Sequence, residues 1–390
     1  MNTARTLRSR WRLGVVLLAL GLVAAACGGD DDASTTTEAA SEESGGSAEG
    51  GVLAGVCPDT VVVQTDWEPE SEHGALYQLV GEGYTIDNES KAITGPLVAS
   101  GEDTGVDIEI RIGGSAIGYT PLPSLMYTDT DILLGMTRLT EAMAAYEDTP
   151  TTGVMAMFEK SPIAFYWDPD TYPEAESVAD LPEDTTVMMG RPDVFIDWMV
   201  QEGIVDESQV DLSDAPKPAT FVAAGGELAE LGFITAEPFL YEFEVPEWGK
   251  PVKSELLHDL GFPEYFQALS VREADLTDQA DCLELLMPMV QQSLVDYYED
   301  PAATNDLIVE LVETYDTGWV YTLPAAEYSA EEQVSAGIIS NGPDEAVGDF
   351  DEDRIGELIG IIGDVTETDV SEISPEQLAT NQFLDQSIGL

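Results

Sequence analysis

Short, wholly apolar runs that alternate with stretches of helical period leave a chain few folds to choose from. Here the run Thr60–Gln64, TVVVQ, reads as a strand covered on both faces. Val106, Ile108, Ile110 and Ile112 alternate with polar residues, the period of a strand with one covered face. Residues 154–158, 163–167, 185–189 and 231–235 read as further strands, and residues 72–81 as a first helix with Ala75, Leu76, Leu79 and Val80 on one side. Strands that alternate with helices favour a mostly parallel α/β architecture. The C-terminal part is more helical. Cys282, Leu285, Leu286, Met289, Val290, Leu294 and Tyr297 recur with the helical period, with Pro288 off the stripe, and Asp300-Pro301 opens the next helix.

The first residues speak to compartment. Arg5, Arg8, Arg10 and Arg12 precede an uncharged apolar run over residues 13–26, too short to span a bilayer comfortably and of the length of a signal-peptide core. Ala24-Ala25-Ala26-Cys27 resembles a lipobox. The expectation is a lipoprotein signal peptide over residues 1–26, cleavage, and lipidation of Cys27; an ordinary secretory signal cut nearby is the alternative. No later stretch is long and apolar enough to cross a membrane. The product is then extracytoplasmic and held at the cell membrane by its N-terminal lipid. Residues 28–51 carry almost no large apolar side chain to offset ordering entropy, so a disordered tether is expected over residues 27–56.

Charge narrows the partners. The chain has 14 Lys and Arg against 76 Asp and Glu, a net charge of −62. Nucleic acid and anionic lipid headgroups are poor partners for such a surface. Beyond Cys27, Cys57 and Cys282 either form one disulfide, for which chain-entropy models give about 5 kcal/mol, or stay as two buried thiols. The only histidines, His73 and His258, show no metal-ligand spacing. There is no Gly-x-Ser-x-Gly elbow and no Walker-type phosphate loop. Neither catalysis, nor a metal, nor a cofactor is expected.

The most informative stretch is residues 61–84, VVVQTDWEPESEHGALYQLVGEGY. A strand ends in Asp66-Trp67, a loop with Pro69 follows, and His73-Gly74 opens a helix closed by Gly83-Tyr84. This resembles the opening of the NMT1/THI5-like (SsuA/THI5-like) family of ABC-transporter solute-binding lipoproteins. Trp67, Pro69, His73, Tyr77, Gly83 and Tyr84 fit its pattern, while Thr85 stands where the family closes with Phe. Residues 113–135, 177–181 and 226–241 are similar to later segments of the same family.

The resemblance implies a two-lobed type 2 periplasmic-binding fold with a hinge and a cleft. Lobe 1 would take residues 57–160 plus 265–390 and lobe 2 residues 161–264, with hinge candidates near 158–161 and 267–272. It implies a monomer that captures a small solute and delivers it to an ABC permease and ATPase. Trp67, Tyr77 and Tyr119 are expected as walls for a planar, pyrimidine-like or flavin-like solute; Asp66, His73, Thr120, Arg191, Glu237 and Tyr241 complete the candidate site. A bland alternative stands beside each: core for Trp67, a helix cap for His73, an ion pair for Arg191. Nitrate or sulfonate is the alternative solute. Eukaryotic relatives that make the thiamine pyrimidine use iron and a cysteine-rich run, and Cys282 has no cysteine near it.

Overall fold

The computed structural model describes residues 50–342 and 345–390. The expected signal peptide, the Cys27 lipidation site and the tether over residues 27–49 lie outside the described residues. Residues 50–56, expected as the end of that tether, are folded: Leu53 is fully buried and donates its N–H to Thr104 O at 2.9 Å. Cys57 is joined to Cys282, which fastens this entry segment to the long helix Ala280–Glu299.

Two sheets make an α/β architecture, the class the sequence implied. The first holds β1 (Thr60–Gln64), β2 (Thr85–Asp87), β3 (Ala92–Ala99), β4 (Glu102–Arg111), β5 (Ile132–Thr137) and β6 (Thr151–Ala156), with β12 (Ala268–Arg272) added late in the chain. The second holds β7 (Ile163–Trp167), β8 (Thr186–Met188), β9 (Val210–Asp211), β10 (Leu228–Phe233) and β11 (Lys253–Leu256). Strand order is β2-β3-β4-β1-β5-β12-β6 in one and β11-β7-β10-β8-β9 in the other.

β1 lies between β4 and β5 and is parallel to both, which is why an unbroken valine run suits it. β4 buries Val106, Ile108 and Ile110 on one face and leaves alternate residues outside. The mostly parallel expectation needs correction, because among the described residues only β1/β4, β1/β5, β8/β10 and β8/β9 are parallel strand pairs. Tight hairpins account for part of the rest. Ser100 and Gly101 both have positive φ, 48° and 80°, as a two-residue hairpin turn between β3 and β4 requires. The other antiparallel pairs arise where the chain changes sheets: β7 enters the second sheet against β10, and β12 returns between β5 and β6.

The first helix is much shorter than residues 72–81. It is a 3-10 turn, Ser71–His73, followed by one α-turn, Gly74–Tyr77. Val80 bridges to Leu97, which draws the chain off the helix axis. Gly74 packs under the Tyr297 ring, where a Cβ would come within 2.1 Å of ring carbon. Residues 158–161 lie in the crossing between β6 and β7, whereas residues 267–272 are largely β12 itself.

Candidate functional site

The carboxyl end of β1 delivers Asp66 and Trp67, and the end of β4 delivers residues 113–120 beside them. Gly113 donates its N–H to Trp67 O at 2.9 Å and Gly114 to Asp66 O at 3.0 Å. A Cβ on Gly113 would meet Thr65 and Asp66 backbone at 2.3–2.5 Å, so only glycine lets the two loops touch. The crossing sets Tyr119 over Trp67, with ring centroids 6.0 Å apart. Tyr119 is 64% exposed and has φ +58°, a left-handed backbone that an aromatic residue adopts at a cost. Trp319 also meets Trp67, edge-on at 6.0 Å, and Tyr321 stacks beside Trp319 at 6.3 Å. The sequence reading missed both; the Gly318-Trp319-Val320-Tyr321 run was the signal for them.

Carboxylates crowd below this aromatic wall. Asp66 is held by His73 Nε2 at 2.9 Å and by the Gln267 amide at 3.2 Å. Glu68 accepts from Ser115 Oγ at 2.7 Å and Thr317 Oγ1 at 3.0 Å. Glu72 accepts from Thr235 Oγ1, and this bond spans from the first sheet's loop to the end of β10 in the second. Glu237, four residues past Phe233, accepts the Phe233 N–H at 2.7 Å.

Burial, then the neighbouring Glu72, Asp66 and Glu237, holds the Glu70 carboxyl well above its usual range. Glu72 is raised by burial, partly offset by the Thr235 hydroxyl. Burial pushes Glu237 up to about 7, against the opposing Phe233 N–H and with Glu72 adding to it. The neighbouring Glu72 charge adds to the burial that disfavours the ionised form of Glu70. Among the described residues no group of three or more His, Cys, Asp or Glu is arranged to hold a metal ion.

The candidates thus divide. Asp66, Trp67, His73, Tyr119 and Glu237 come together with Glu70, Glu72, Trp319, Tyr321 and Gln267. Tyr77 is 1% exposed, packed in the first sheet's core rather than lining an opening. Tyr241 is equally buried, against Phe221 and Trp248, and donates to Glu230 at 2.6 Å. Thr120 turns its hydroxyl back to Ile117 O. Arg191 is exposed at the rim of a crevice of about 280 Å³ whose lining includes Arg138, Glu141 and Asp193. Burial removes Tyr77 and Tyr241 from the walls of any open site; their motif positions said nothing of the direction their rings take.

No protein-family model matches the chain, and no curated protein matches it. Among solved structures, it is similar to a protein from Bordetella bronchiseptica RB50 at 12% identity and a TM-score of 0.51, covering 84% of this chain and 96% of that one. It is also similar to an ABC transporter from Parabacteroides distasonis (12% identity, TM-score 0.48, 85% and 100% covered). A third is the periplasmic aliphatic sulphonate binding protein SsuA from Escherichia coli (10% identity, TM-score 0.49, 83% and 90% covered). At such identities the likeness is one of fold.

Proposed function

We propose that the chain is the extracytoplasmic solute-binding component of an ABC importer, as the NMT1/THI5-like resemblance implied. One observation carries this reading: loops from the ends of β1 and β4 in one sheet and of β10 in the other meet beside Trp67 and Tyr119, joined by the Glu72–Thr235 bond. Ligands of open α/β sheets sit beyond the carboxyl ends of their strands. On this reading the sheets are the cores of two lobes, residues 57–160 with 265–390 and residues 161–264. The crossing near 158–161 and the return segment that leads into β12 at residue 267 act as the hinge, and closure traps the solute. A planar solute of pyrimidine or flavin type stacks on Trp67. A lipid on Cys27 holds the monomer at the membrane within reach of permease and ATPase. Arg191 is what a nitrate or sulfonate would use; the carboxylates around Asp66 oppose that second reading.

The test is a thermal-shift screen of residues 28–390, which keep every described residue, against pyrimidines, flavins, sulfonates, nitrate and amino compounds. A true solute at a hundred times its Kd stabilises by about 2.7 kcal/mol. Trp67→Ala should lose most of that shift. Full retention removes Trp67 from the site, and no response to any class defeats the reading.

A further inference from the structure

The place where these loops meet has an unusual electrostatic composition. It gathers Asp66, Glu70 and Glu72 from the first sheet's loop and Glu237 from the second. The main groups acting on Glu70, Glu72 and Glu237 are these carboxyls themselves, Glu230, the Thr235 hydroxyl, His73 and the backbone N–H groups of Phe233 and Glu237; no Lys or Arg is among them. His73 is already engaged with Asp66. Tyr321, whose hydroxyl pairs with Ser71 Oγ at 2.8 Å, and Tyr166 face the same carboxylates.

A second, independent feature points to a ligand. Gln267 is 1% exposed; its amide nitrogen lies on the Asp66 carboxylate, yet its Oε1 has no hydrogen-bond partner. The fully buried Tyr166 hydroxyl, which faces Glu237 and Glu72, is likewise unpartnered. Buried polar groups are rarely left so. Gln267 Oε1 and the surrounding carboxylates are acceptors, and they call for a donor. Around them stand the faces and edges of Trp67, Tyr119, Trp319 and Tyr321, and aromatic faces attract organic cations.

We infer that the solute is an organic cation, a protonated amine on a flat or apolar body, with its nitrogen among Asp66, Glu70, Glu72 and Glu237 and its body against Trp67 and Tyr119. This rests on the solute-binding reading and adds the charge of the solute to it. A cation supplies N–H donors to the acceptors and removes the repulsion between carboxyls. Because Glu237 titrates near 7, binding at neutral pH displaces protons from the cluster.

The experiment uses residues 28–390 and sets of probes matched in shape but not in charge: benzylammonium, benzyl alcohol and benzenesulfonate; cyclohexylammonium and cyclohexanol. Amines fractionated from cell extract are included. Calorimetry in two buffers of different ionisation enthalpy reads proton release. Cations should raise the melting temperature and their neutral and anionic counterparts should not. Affinity should rise between pH 5 and pH 8, with protons released. Glu70→Gln should weaken cation binding by about tenfold to a hundredfold while raising the melting temperature of the unliganded chain. Trp67→Phe should keep part of the affinity. If a neutral or anionic probe binds best, the charge inference falls and solute binding survives. If neither probes nor extract shift the chain, both fall.

Discussion

Two groups of charged side chains bridge the sheets, and they are built on opposite principles. At one, the Arg138 guanidinium lies 2.8 Å from Asp193 and 2.7 Å from Glu264 and stacks 5.1 Å from the Phe266 ring. Each charge there has a partner. At the other, Glu70, Glu72 and Glu237 face one another with only neutral hydroxyls, a backbone N–H and one histidine for relief. The first is a fastening complete in itself. The second is a cost the fold carries, of the kind that accumulates where binding is to happen.

Removing the centre of the fastening gives the largest expected effect. Arg138→Met strands Glu264, which is wholly buried, and should cost about 3–5 kcal/mol in urea unfolding. A loss under about 1 kcal/mol would mean the two groups are not different in kind.

The pH response comes next. Glu237 has a folded pKa of about 7 against an ordinary 4.5, so the native state holds the extra proton between those values. Stability from this group is therefore present at low pH and declines as pH rises from 4.5 through 7. His258 acts in the other direction: burial and the nearby Arg354 lower it to about 4, so stability is lost as pH falls from 6.5 towards 4. Single variants separate them. The melting temperature of Glu237→Gln relative to the parent should climb as pH rises from 4.5 to 7 and level off above that. A gap that stays constant with pH would place Glu237 outside the strained cluster.

The smallest effect belongs to Tyr119. Glycine at φ +58° relieves the left-handed backbone, so Tyr119→Gly should stabilise the unliganded chain by at most about 1 kcal/mol while weakening solute binding. Destabilisation instead would show that the ring's contact with Trp67 outweighs the strain.

What the sequence made legible was local. The valine run of β1, the alternation in β4 and the Asp66-Trp67 turn with Gly113-Gly114 opposite are short-range signals, and the structure has them together. Asp66 and His73 were found because seven residues separate partners 2.9 Å apart. Gln267 and Trp319 reach the same place from far along the chain, and no periodicity announces such meetings. Tyr77 and Tyr241 show the complementary failure. A motif fixes a residue's position, but packing against the Ala280–Glu299 helix or against Phe221 decides whether its ring is inside. The pairing of β12 was equally hidden, since its partners precede it by more than a hundred residues.

That late strand constrains how the molecule is assembled. β12 is hydrogen-bonded to β5 on one side and to β6 on the other, in the interior of its sheet. A chain emerging from its N-terminus therefore exposes unsatisfied strand edges on β5 and β6 until residue 272 has appeared and the excursion through β7 to β11 has looped back. Closing so long a loop is slow, and partially made chains are open to mispairing throughout. Maturation of the first sheet is thus timed by the second.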